Sequence, residues 1–398
     1  MRSGPVAAVA LISAVVGAAA VLVVASAAGW LGTSTKETVV VRQGNPAAGT
    51  AAPVVAARPI LGNGFQPAQI YRVRSAGVVT IISFFSSGNA GQGSGFVVGD
   101  DGTILTSAHV ITNAGQDPND PSAAAARRVY VEFNDGDRVR AKIVGFDVYD
   151  DVGVLRVDPS SHRLAPVPLG NSSRLVVGQP VAAIGSPFGN ADSLSVGVVS
   201  AVRRSIPSLT SKYNLLDAIQ TDAPINHGNS GGPLFDARGR VIGINAQIRS
   251  SGSSSGFEGV GFAVPIDAAR RSLQQLEQTG KVEYAYVGIT TEDLTPSIAR
   301  KIGYAATHGA LVDEVKDGSA GAKAGLRAGT HDVIFDGLDV RAGGDAIVAI
   351  DGIPVTYAED VVRIVSQLHP GEIATFTVVR GTTKTTLAVK LDQRSPTG

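Results

Sequence analysis

The stretch T-D-A-P-I-N-H-G-N-S-G-G-P-L, residues 221–234, decides the interpretation of this chain. Glycines lie on both sides of Ser230 within it: Gly228 before, Gly231 and Gly232 after. A serine nucleophile needs an exposed hydroxyl on a tight turn, and flanking glycines permit that backbone and let a substrate approach closely. The stretch predicts a nucleophile at Ser230, with the amides of Gly228 and Ser230 as oxyanion donors. A glycine-rich hairpin turn without chemistry is the alternative.

A serine nucleophile requires a base, and His109 is the best-placed histidine. It ends the apolar run I-L-T-S-A-H-V, residues 104–110, where small neighbours leave room for an imidazole to face a cleft. A structural histidine is the alternative. The other histidines considered lie in polar or turn contexts and are predicted to be surface residues: His162, His308, His331 and His369.

The third member of such a site is a buried carboxylate that orients the imidazole and stabilises its charged form. The run D-V-Y-D-D-V-G-V-L, residues 147–155, offers candidates. Asp151 directly precedes the apolar strand and is preferred, Asp150 is the second choice, and a plain acidic surface turn is the alternative. The order His109, Asp151, Ser230 is that of the chymotrypsin type.

Most of residues 68–280 consists of short, β-branched-rich runs separated by glycine turns. About a dozen such strands with little helix predict a mainly β protein with paired β-barrels. Together with the order of the triad candidates, this predicts a chymotrypsin-like double β-barrel. One helix is predicted over 267–279, with Asp267 as N-cap and Gly280 as its end. The clearest predicted strands are 78–83, 94–98, 103–106, 129–133, 139–146, 154–157, 181–184, 194–202 and 241–247.

A second unit is predicted over 283–392. It mixes strands at 310–315, 346–350, 373–379 and 385–391 with a helix over 358–368, which is typical of a small α+β domain. Residues 330–344 exceed the usual connection at this point and predict a surface insertion. Residues 36–67, rich in Pro, Ala and Gly, predict a linker before the first domain.

Residues 1–35 carry no charge between Arg2 and Lys36, and they are long enough to span a bilayer as a helix. Arg2 favours a cytoplasmic N-terminus, and Trp30 suits the outer interface. We predict a transmembrane anchor. The alternative is a signal peptide cleaved after Ala25-Ser26-Ala27, leaving a secreted or periplasmic protein. Both alternatives leave the rest of the chain outside the cytoplasm.

Composition excludes several other classes. Lys plus Arg and Asp plus Glu are balanced at 34 each, so no net basic charge favours nucleic acid as a partner. The chain has no cysteine, which excludes disulfides, thiolate metal sites and cysteine nucleophiles. The HExxH zinc motif is absent from the sequence. No metal and no cofactor are predicted.

From about residue 70 to its end, the chain resembles the HtrA (Deg) family of trypsin-like serine proteases. The resemblance implies triad roles for His109, Asp151 and Ser230, oxyanion roles for the Gly228 and Ser230 amides, and a homotrimer assembled through the protease domain. The matching motifs are G-S-G-F-V-V (93–98), T-S-A-H-V (106–110), D-V-G-V-L (151–155), residues 221–234, V-I-G-I-N (241–245) and G-V-G-F-A-V-P (259–265).

The second unit resembles a PDZ domain, a module that binds C-terminal peptides. Its loop Tyr286-Val287-Gly288-Ile289 resembles the carboxylate-binding loop, where backbone amides hold a terminal carboxylate and the peptide adds as a strand. Residues 318–329 resemble the S-P-A-x-x-A-G-L-x-x-G run of family PDZ domains.

Four residues near the nucleophile bear on specificity and activation. Pro224, six residues before Ser230, and Ile225 are predicted to line the S1 pocket, which then favours small or medium aliphatic residues over Lys or Arg. Asn229 is neutral and cannot pair with a new N-terminus, so activation by N-terminal cleavage is not expected. His227 departs from the proline or arginine of relatives, and the sequence assigns it no role.

The sequence therefore predicts an endopeptidase that acts through an acyl-enzyme on misfolded or regulatory extracytoplasmic proteins, in quality control or stress response. A non-catalytic scaffold is the first alternative, although every site residue is present. An esterase is the second, but the G-x-S-x-G elbow is absent and the histidine precedes the serine.

Overall fold

The computed structural model describes residues 64–86, 88–114, 123–185, 193–211, 213–226, 228–248 and 258–394. The predicted anchor, nearly all of the predicted linker and His227 lie outside the described residues. Among the described residues, no helix combines the length and the apolar character that crossing a bilayer requires.

Residues 78–156 form a closed six-stranded barrel with the order β1-β2-β3-β6-β5-β4. Apolar residues alternate along its strands, so that Val129 and Val131 point inward while their neighbours face outward. β2 begins four residues before the prediction because Ala90 pairs with Phe84 of β1. The strands are β1 (Val78–Phe84), β2 (Ala90–Val97), β3 (Thr103–Thr106), β4 (Arg128–Glu132), β5 (Arg138–Asp147) and β6 (Val152–Arg156).

A second closed barrel follows, with the order β10-β11-β12-β9-β8-β7. Its interior includes the fully buried Ile219, Ile225 and Leu234. The expectation of a mainly β protein is confirmed, and β9, β10 and β12 are strands that the sequence interpretation missed. The strands are β7 (Pro180–Gly185), β8 (Ser193–Pro207), β9 (Asn214–Thr221), β10 (Pro233–Asp236), β11 (Val241–Ile248) and β12 (Gly261–Pro265).

Three helices accompany the barrels: α1 (Pro67–Arg74), α2 (Ala108–Ile111) and α3 (Ile266–Thr279). Helix α1 was not predicted, and it inserts the buried Ile70 into the main core cluster. Helix α3 ends at Gly280, with φ +74°, as expected. The predicted N-cap is wrong: Pro265 occupies that position, and the Asp267 carboxylate instead accepts hydrogen bonds from the amides of Ser172 and Ser173.

The C-terminal unit is a small α+β domain around a sheet with the order β14-β15-β18-β20-β21, to which β19 adds on β18. Strand β14 pairs only with β15 and so forms an edge of this sheet. Its strands are β13 (Ala285–Tyr286), β14 (Ile289–Leu294), β15 (Gly309–Val315), β16 (His331–Phe335), β17 (Leu338–Ala342), β18 (Ala346–Ile350), β19 (Ile353–Pro354), β20 (Ile373–Arg380), β21 (Thr383–Lys390) and β22 (Asp392–Gln393). Its helices are α4 (Pro296–Ile302), α5 (Ala320–Ala324) and α6 (Ala358–Val365).

The insertion at 330–344 is a two-stranded hairpin of β16 and β17. It turns at Asp336-Gly337, and both residues have positive φ, as a tight two-residue hairpin turn requires. The side chains of Ile334 and Leu338 are exposed near this turn.

The two barrels meet at a close contact, and there is no room for a side chain at Gly231 within it. At Gly231, φ is +82°, and a Cβ atom would lie 2.3 Å from both the Ser94 carbonyl oxygen and the Thr106 hydroxyl. The Thr106 hydroxyl donates to the Ser94 carbonyl at 2.7 Å, and the Ser94 amide donates to the Ser230 carbonyl at 2.8 Å. Segments of both barrels therefore touch directly, backbone to backbone, at Ser230.

Buried carboxylates lie where the C-terminal unit joins the barrels. Asp147 accepts hydrogen bonds from the Tyr284 hydroxyl at 2.5 Å and from the Ser272 hydroxyl at 2.7 Å. Burial raises the pKa of Asp147 despite these bonds. Burial, together with the charge of Asp147, raises the pKa of Asp150 to about 7, although Arg271 lies 4.0 Å away.

Cations complete this junction. Arg363 of α6 pairs with Asp217 of β9 at 2.7 Å. Arg394, near the end of the described chain, lies over the rings of Tyr213 and Tyr149. These contacts border a cavity of about 410 Å³ between the second barrel and α6. Both ends of the C-terminal unit are thus tied to the barrels.

The raised pKa of Asp150 predicts a pH-dependent gain in stability from Asp150→Asn. The folded state holds the proton of Asp150 more tightly than the unfolded chain does. The contribution of Asp150 to the free energy of unfolding therefore falls as the pH rises from about 4 to about 7. Asparagine does not titrate, so the variant should exceed the wild type most clearly above pH 7. Urea midpoints at pH 5 and pH 8 measure this difference.

Asp158→Asn is the control for that experiment. Hydrogen bonds from Ser160 lower the pKa of Asp158, so neutralising it should not stabilise the protein at pH 8. An Asp150→Asn variant with the same advantage over wild type at both pH values would contradict the prediction.

Gly231→Ala should destabilise the protein far more than Gly239→Ala. Both residues have positive φ, so each alanine carries a backbone cost of about 1–2 kcal/mol. At Gly239 the nearest atom to an added Cβ is the movable Arg74 Nε at 3.2 Å, whereas at Gly231 it meets the Ser94 backbone. Overpacking should add about 1–3 kcal/mol at Gly231 alone. Equal urea midpoints for the two variants would show that the barrel contact is not tight.

Candidate active site

Two hydrogen bonds join His109 to Asp151. His109 Nδ1 lies 2.7 Å from Asp151 Oδ2, and the His109 amide donates to Asp151 Oδ1 at 2.9 Å. An ionised carboxylate only accepts hydrogen bonds, so the ring proton resides on Nδ1 and Nε2 is left as an acceptor. The carboxylate therefore sets both the position and the tautomer of the imidazole.

Local structure brings this pair together. His109 lies in the short helix α2 directly after β3, and Asp151 lies in the turn between β5 and β6. Asp151 has φ +52°, a conformation uncommon for a residue other than glycine, and its carbonyl accepts from the Ala108 amide. Strain of this kind persists only where surrounding bonds hold it.

Burial and charge act in opposite directions on His109. Burial disfavours the imidazolium, but attraction by the Asp151 carboxylate and the hydrogen bond to it outweigh burial, so the pKa of His109 is raised. The side chain of Asp151 is only 4% exposed and that of His109 18%. The imidazole is therefore more basic than an ordinary histidine while keeping one open side.

The other two predicted carboxylates face away from His109. Asp147 bonds to Tyr284 and Ser272, and Asp150 faces Arg271. Of the acidic run, only Asp151 has a hydrogen bond to the histidine among the described residues.

Ser230 lies in a turn between β9 and β10. Its carbonyl accepts from the Ser94 amide, and its hydroxyl donates to the carbonyl of Ala246 at 3.2 Å. The next amide, that of Gly231, donates to the Asn245 carbonyl at 2.7 Å. The backbone on both sides of the serine is thus held by neighbouring strands.

Gly93 links the serine loop to the histidine helix. A Cβ atom at Gly93 would lie 2.6 Å from the side chain of Val110, the neighbour of His109, and 3.0 Å from the Ser230 carbonyl oxygen. The structure therefore brings the segments of His109 and Ser230 together across the contact between the barrels. Gly93 lies between the two segments, where a side chain would not fit.

The predicted oxyanion loop is held by Ser94, which the sequence interpretation did not identify. Its hydroxyl donates to the Gly228 carbonyl at 2.6 Å, and Gly228 has φ +102°. Within the described part of the chain, no hydrogen bond occupies the amides of Gly228 or Ser230. The G-S-G pattern at 93–95 was the available signal, since glycines around a small polar residue indicate close backbone approach.

The two residues predicted to line the S1 pocket differ in solvent exposure. Pro224 is exposed and its carbonyl accepts from the side chains of Asn229 and Ser195, at 3.2 and 2.8 Å. Ile225 is 1% exposed and belongs to the core of the second barrel. Asn229 is buried next to the serine, so its amide ties the predicted S1 wall to the nucleophile loop.

The predicted peptide-binding loop, Tyr286, Val287, Gly288 and Ile289, connects β13 to β14. Gly288 has φ +78°, and a Cβ there would lie 2.3 Å from Ser319. The carbonyls of Val287 and Gly288 accept hydrogen bonds from the amides of residues 321 and 316. This loop therefore opens directly onto the edge strand β14.

His162 is not the surface residue predicted. Its ring stacks on Phe133 at 3.7 Å, and Nε2 lies 3.0 Å from the Asp135 carboxylate. This pair supports the β4–β5 turn. Across the described ranges, no cluster of three or more His, Cys, Asp or Glu side chains is arranged to hold a metal ion.

Family models match both units of the chain. A trypsin-like peptidase domain matches residues 93–244, and a PDZ domain matches residues 285–391. The first match includes all the residues of the His109, Asp151 and Ser230 constellation.

Known proteins are similar in sequence to this chain over about three quarters of its length. A probable periplasmic serine endoprotease DegP-like from Pseudomonas fulva is 37% identical over 75% of this chain and 55% of its own length. Protease Do-like 1, chloroplastic, from Arabidopsis thaliana is 39% identical over 76% of this chain and 64% of its own length. The chain thus spans only part of the length of these relatives.

Solved structures agree over almost their whole length. The HtrA-type protease AlgW with tripeptide is 31% identical, with a TM-score of 0.69, covering 83% of this chain and 98% of that chain. A serine endoprotease from Yersinia pestis is 26% identical, with a TM-score of 0.58, and has the same coverage. The chain belongs to the HtrA family of serine proteases.

Proposed function

We propose that this chain is a serine endopeptidase that acts through an acyl-enzyme, with Ser230 as nucleophile, His109 as base and Asp151 as its orienting carboxylate. The observation that supports this most directly is the pair of hydrogen bonds between His109 and Asp151. They use Nδ1 and the backbone amide of His109, and Nε2 has no hydrogen-bond partner among the described residues.

The reaction follows from these positions. A χ1 rotation of Ser230 exchanges the carbonyl of Ala246 for the imidazole, and His109 Nε2 takes the hydroxyl proton as Oγ attacks the substrate carbonyl carbon. The amides of Gly228 and Ser230 donate to the oxyanion. When the peptide C–N bond breaks, the imidazolium gives its proton to the leaving amine. Water, activated by the same imidazole, then hydrolyses the ester.

Specificity in this proposal rests on the exposed Pro224, because the predicted second wall residue, Ile225, is buried in the core of the second barrel. Pro224 is uncharged, so the S1 pocket favours small or medium aliphatic residues. Misfolded proteins expose such residues, and they, with regulatory proteins, are the proposed substrates. The neutral Asn229, bonded to the Pro224 carbonyl, supports a loop that needs no new N-terminus for its order.

The C-terminal unit is proposed to bind C-terminal peptides. The edge strand β14 offers unpaired backbone groups for an added strand, and the loop at 286–289 lies at its start. The PDZ match over 285–391 and the peptide-bound AlgW structures support this role.

The proposed organisation is an anchor at 1–35, a linker at 36–67, a protease domain at 68–280 and a PDZ domain at 283–392. The uncharged N-terminal stretch and the periplasmic names of several relatives support an extracytoplasmic catalytic part on a single-pass anchor. The family resemblance supports a homotrimer.

Ser230→Ala should abolish cleavage of unfolded casein because it removes the attacking oxygen. Fluorophosphonate labelling should disappear with it. Ser160→Ala, at an exposed serine, is the control and should keep both activities. Casein cleavage that survives in Ser230→Ala would refute the assignment, and a wild type that neither cleaves nor reacts would favour the scaffold.

Asp151→Asn should lower kcat/KM by about 10³–10⁴-fold, since the imidazole loses its tautomer and its charge partner. The wild-type rate should rise with pH, with a midpoint above the ordinary histidine value of 6.5, because only neutral His109 is a base. The residual activity of the variant should have its midpoint at lower pH. A pH profile of kcat/KM measures both.

Asp150→Asn is the matched control, since this neighbouring carboxylate faces Arg271 instead of His109. Comparable losses of kcat/KM in the two variants would contradict the assignment of Asp151.

A further inference from the structure

The outer face of the first barrel carries a concentration of positive charge. A cleft of about 540 Å³ lies there, and we call it the basic cleft. Its lining includes five cationic side chains and one carboxylate, that of Asp158. The cations are Arg127, Arg128, Arg140, Lys142 and Arg156.

Strand register places these cations on one side of the sheet. Val129 pairs with Ala141 and both point into the barrel, so Arg128, Arg140 and Lys142 point outward. Lys142 pairs directly with Arg156 of β6. Asp101 and Glu277 compensate the charge of Arg156, so the charge that remains for an anion on these strands is that of Arg128, Arg140 and Lys142.

The neighbouring carboxylates already have partners. Asp101 and Glu277 pair with Arg156, and Glu132 pairs with Arg138. The Asp158 carboxylate accepts from the amide and hydroxyl of Ser160.

Four cations of the cleft therefore keep their charge uncompensated. Arg127 donates to the Ser86 hydroxyl, and Arg128 lies over the ring of Phe84, both neutral partners. Within the described ranges, no carboxylate lies at ion-pair distance from either of them, or from Arg140 or Lys142.

The basic cleft begins beside the histidine helix. Ala125 bridges to Thr112, and the Ala126 amide donates to the Ile111 carbonyl at 2.8 Å. A second cavity of about 280 Å³ has His109, Thr112, Phe85 and Leu209 among its lining residues. Thr112 thus separates the two spaces.

We propose that the basic cleft binds acidic segments of the polypeptide substrate, a few residues from the bond held at Ser230. This inference rests on the proposed function and adds a charge preference to it. Arginine guanidinium groups bind carboxylates through two parallel hydrogen bonds, and Arg140 is free to do so. The site favours substrates that combine an aliphatic residue at the cleaved bond with a nearby run of Asp or Glu.

A peptide fits this face better than a membrane surface does. The cleft is concave, with Ala125, Ala126 and Ala141 between the cations, and this leaves room for a narrow chain. It also adjoins the cavity beside His109, from which Thr112 separates it. The cleft then attracts any substrate that has Asp or Glu residues a few positions from the cleaved bond.

The test compares peptides that share one cleavable core and differ in an extension of about six residues, rich in Asp and Glu or in Asn and Gln, on either side of the core. For the full-length wild type, kcat/KM should be about tenfold higher with the acidic extension on one side, mainly through KM, since each exposed pair contributes about 0.2–1 kcal/mol. The preference should vanish at about 1 M salt, where charges are screened within a few ångströms.

The ratio of the two kcat/KM values is the readout in the variants. Arg140→Gln combined with Lys142→Gln should reduce it to about one, because two pairs are lost. Arg300→Gln combined with Lys301→Gln removes the same charge from the exposed surface of α4 and should leave the ratio at its wild-type value.

Each outcome decides the proposal. Equal cleavage of the acidic and neutral peptides by the wild type would overturn it while leaving the peptidase intact, whereas no cleavage of any peptide would overturn the proposed function itself. A preference that persists in the Arg140 and Lys142 double variant would also overturn it. The proposal would also be overturned if the wild type cleaved both peptides equally and bound phosphatidylglycerol vesicles, while the double variant did not bind them. That result would identify a lipid-binding face.

Discussion

The close contact between the two barrels is the constraint on which the rest of the structure depends. Gly231 and Gly93 allow backbones from different barrels to touch, and Ser94 bonds to the serine loop through both its amide and its hydroxyl. The serine loop belongs to the second barrel, whereas the histidine and its carboxylate belong to the first. This contact therefore assembles the candidate site from both barrels.

Within the first barrel, a single carboxylate organises the histidine. Asp151 holds the backbone and the ring of His109 at once, from a buried position and a strained backbone conformation. The attraction also makes the imidazole more basic, despite burial.

Charge is distributed unevenly over a protein whose net charge is zero. Carboxylates gather at the junction with the C-terminal unit, where Asp147 is buried and Asp150 half-buried. Cations instead accumulate on the outer face of the first barrel, where Arg128, Arg140 and Lys142 have no carboxylate partner among the described residues. Both groups of charges lie beside elements of the candidate site or of the C-terminal unit.

The sequence by itself determined the class of fold, the two units and the short set of residues able to form a serine site. Alternation of apolar residues and glycine turns are local properties, so strands such as β3 and β18 were predicted with their observed bounds. Strands β9, β10 and β12 and helix α1 were missed because their burial comes from partners distant in the chain. Only the tertiary structure decided that Asp151, and not Asp150, bonds to His109, that Ser94 supports the oxyanion loop, and that cations from three strands share one cleft. Each of these depends on distances between residues far apart in the polymer, and no local pattern records such distances.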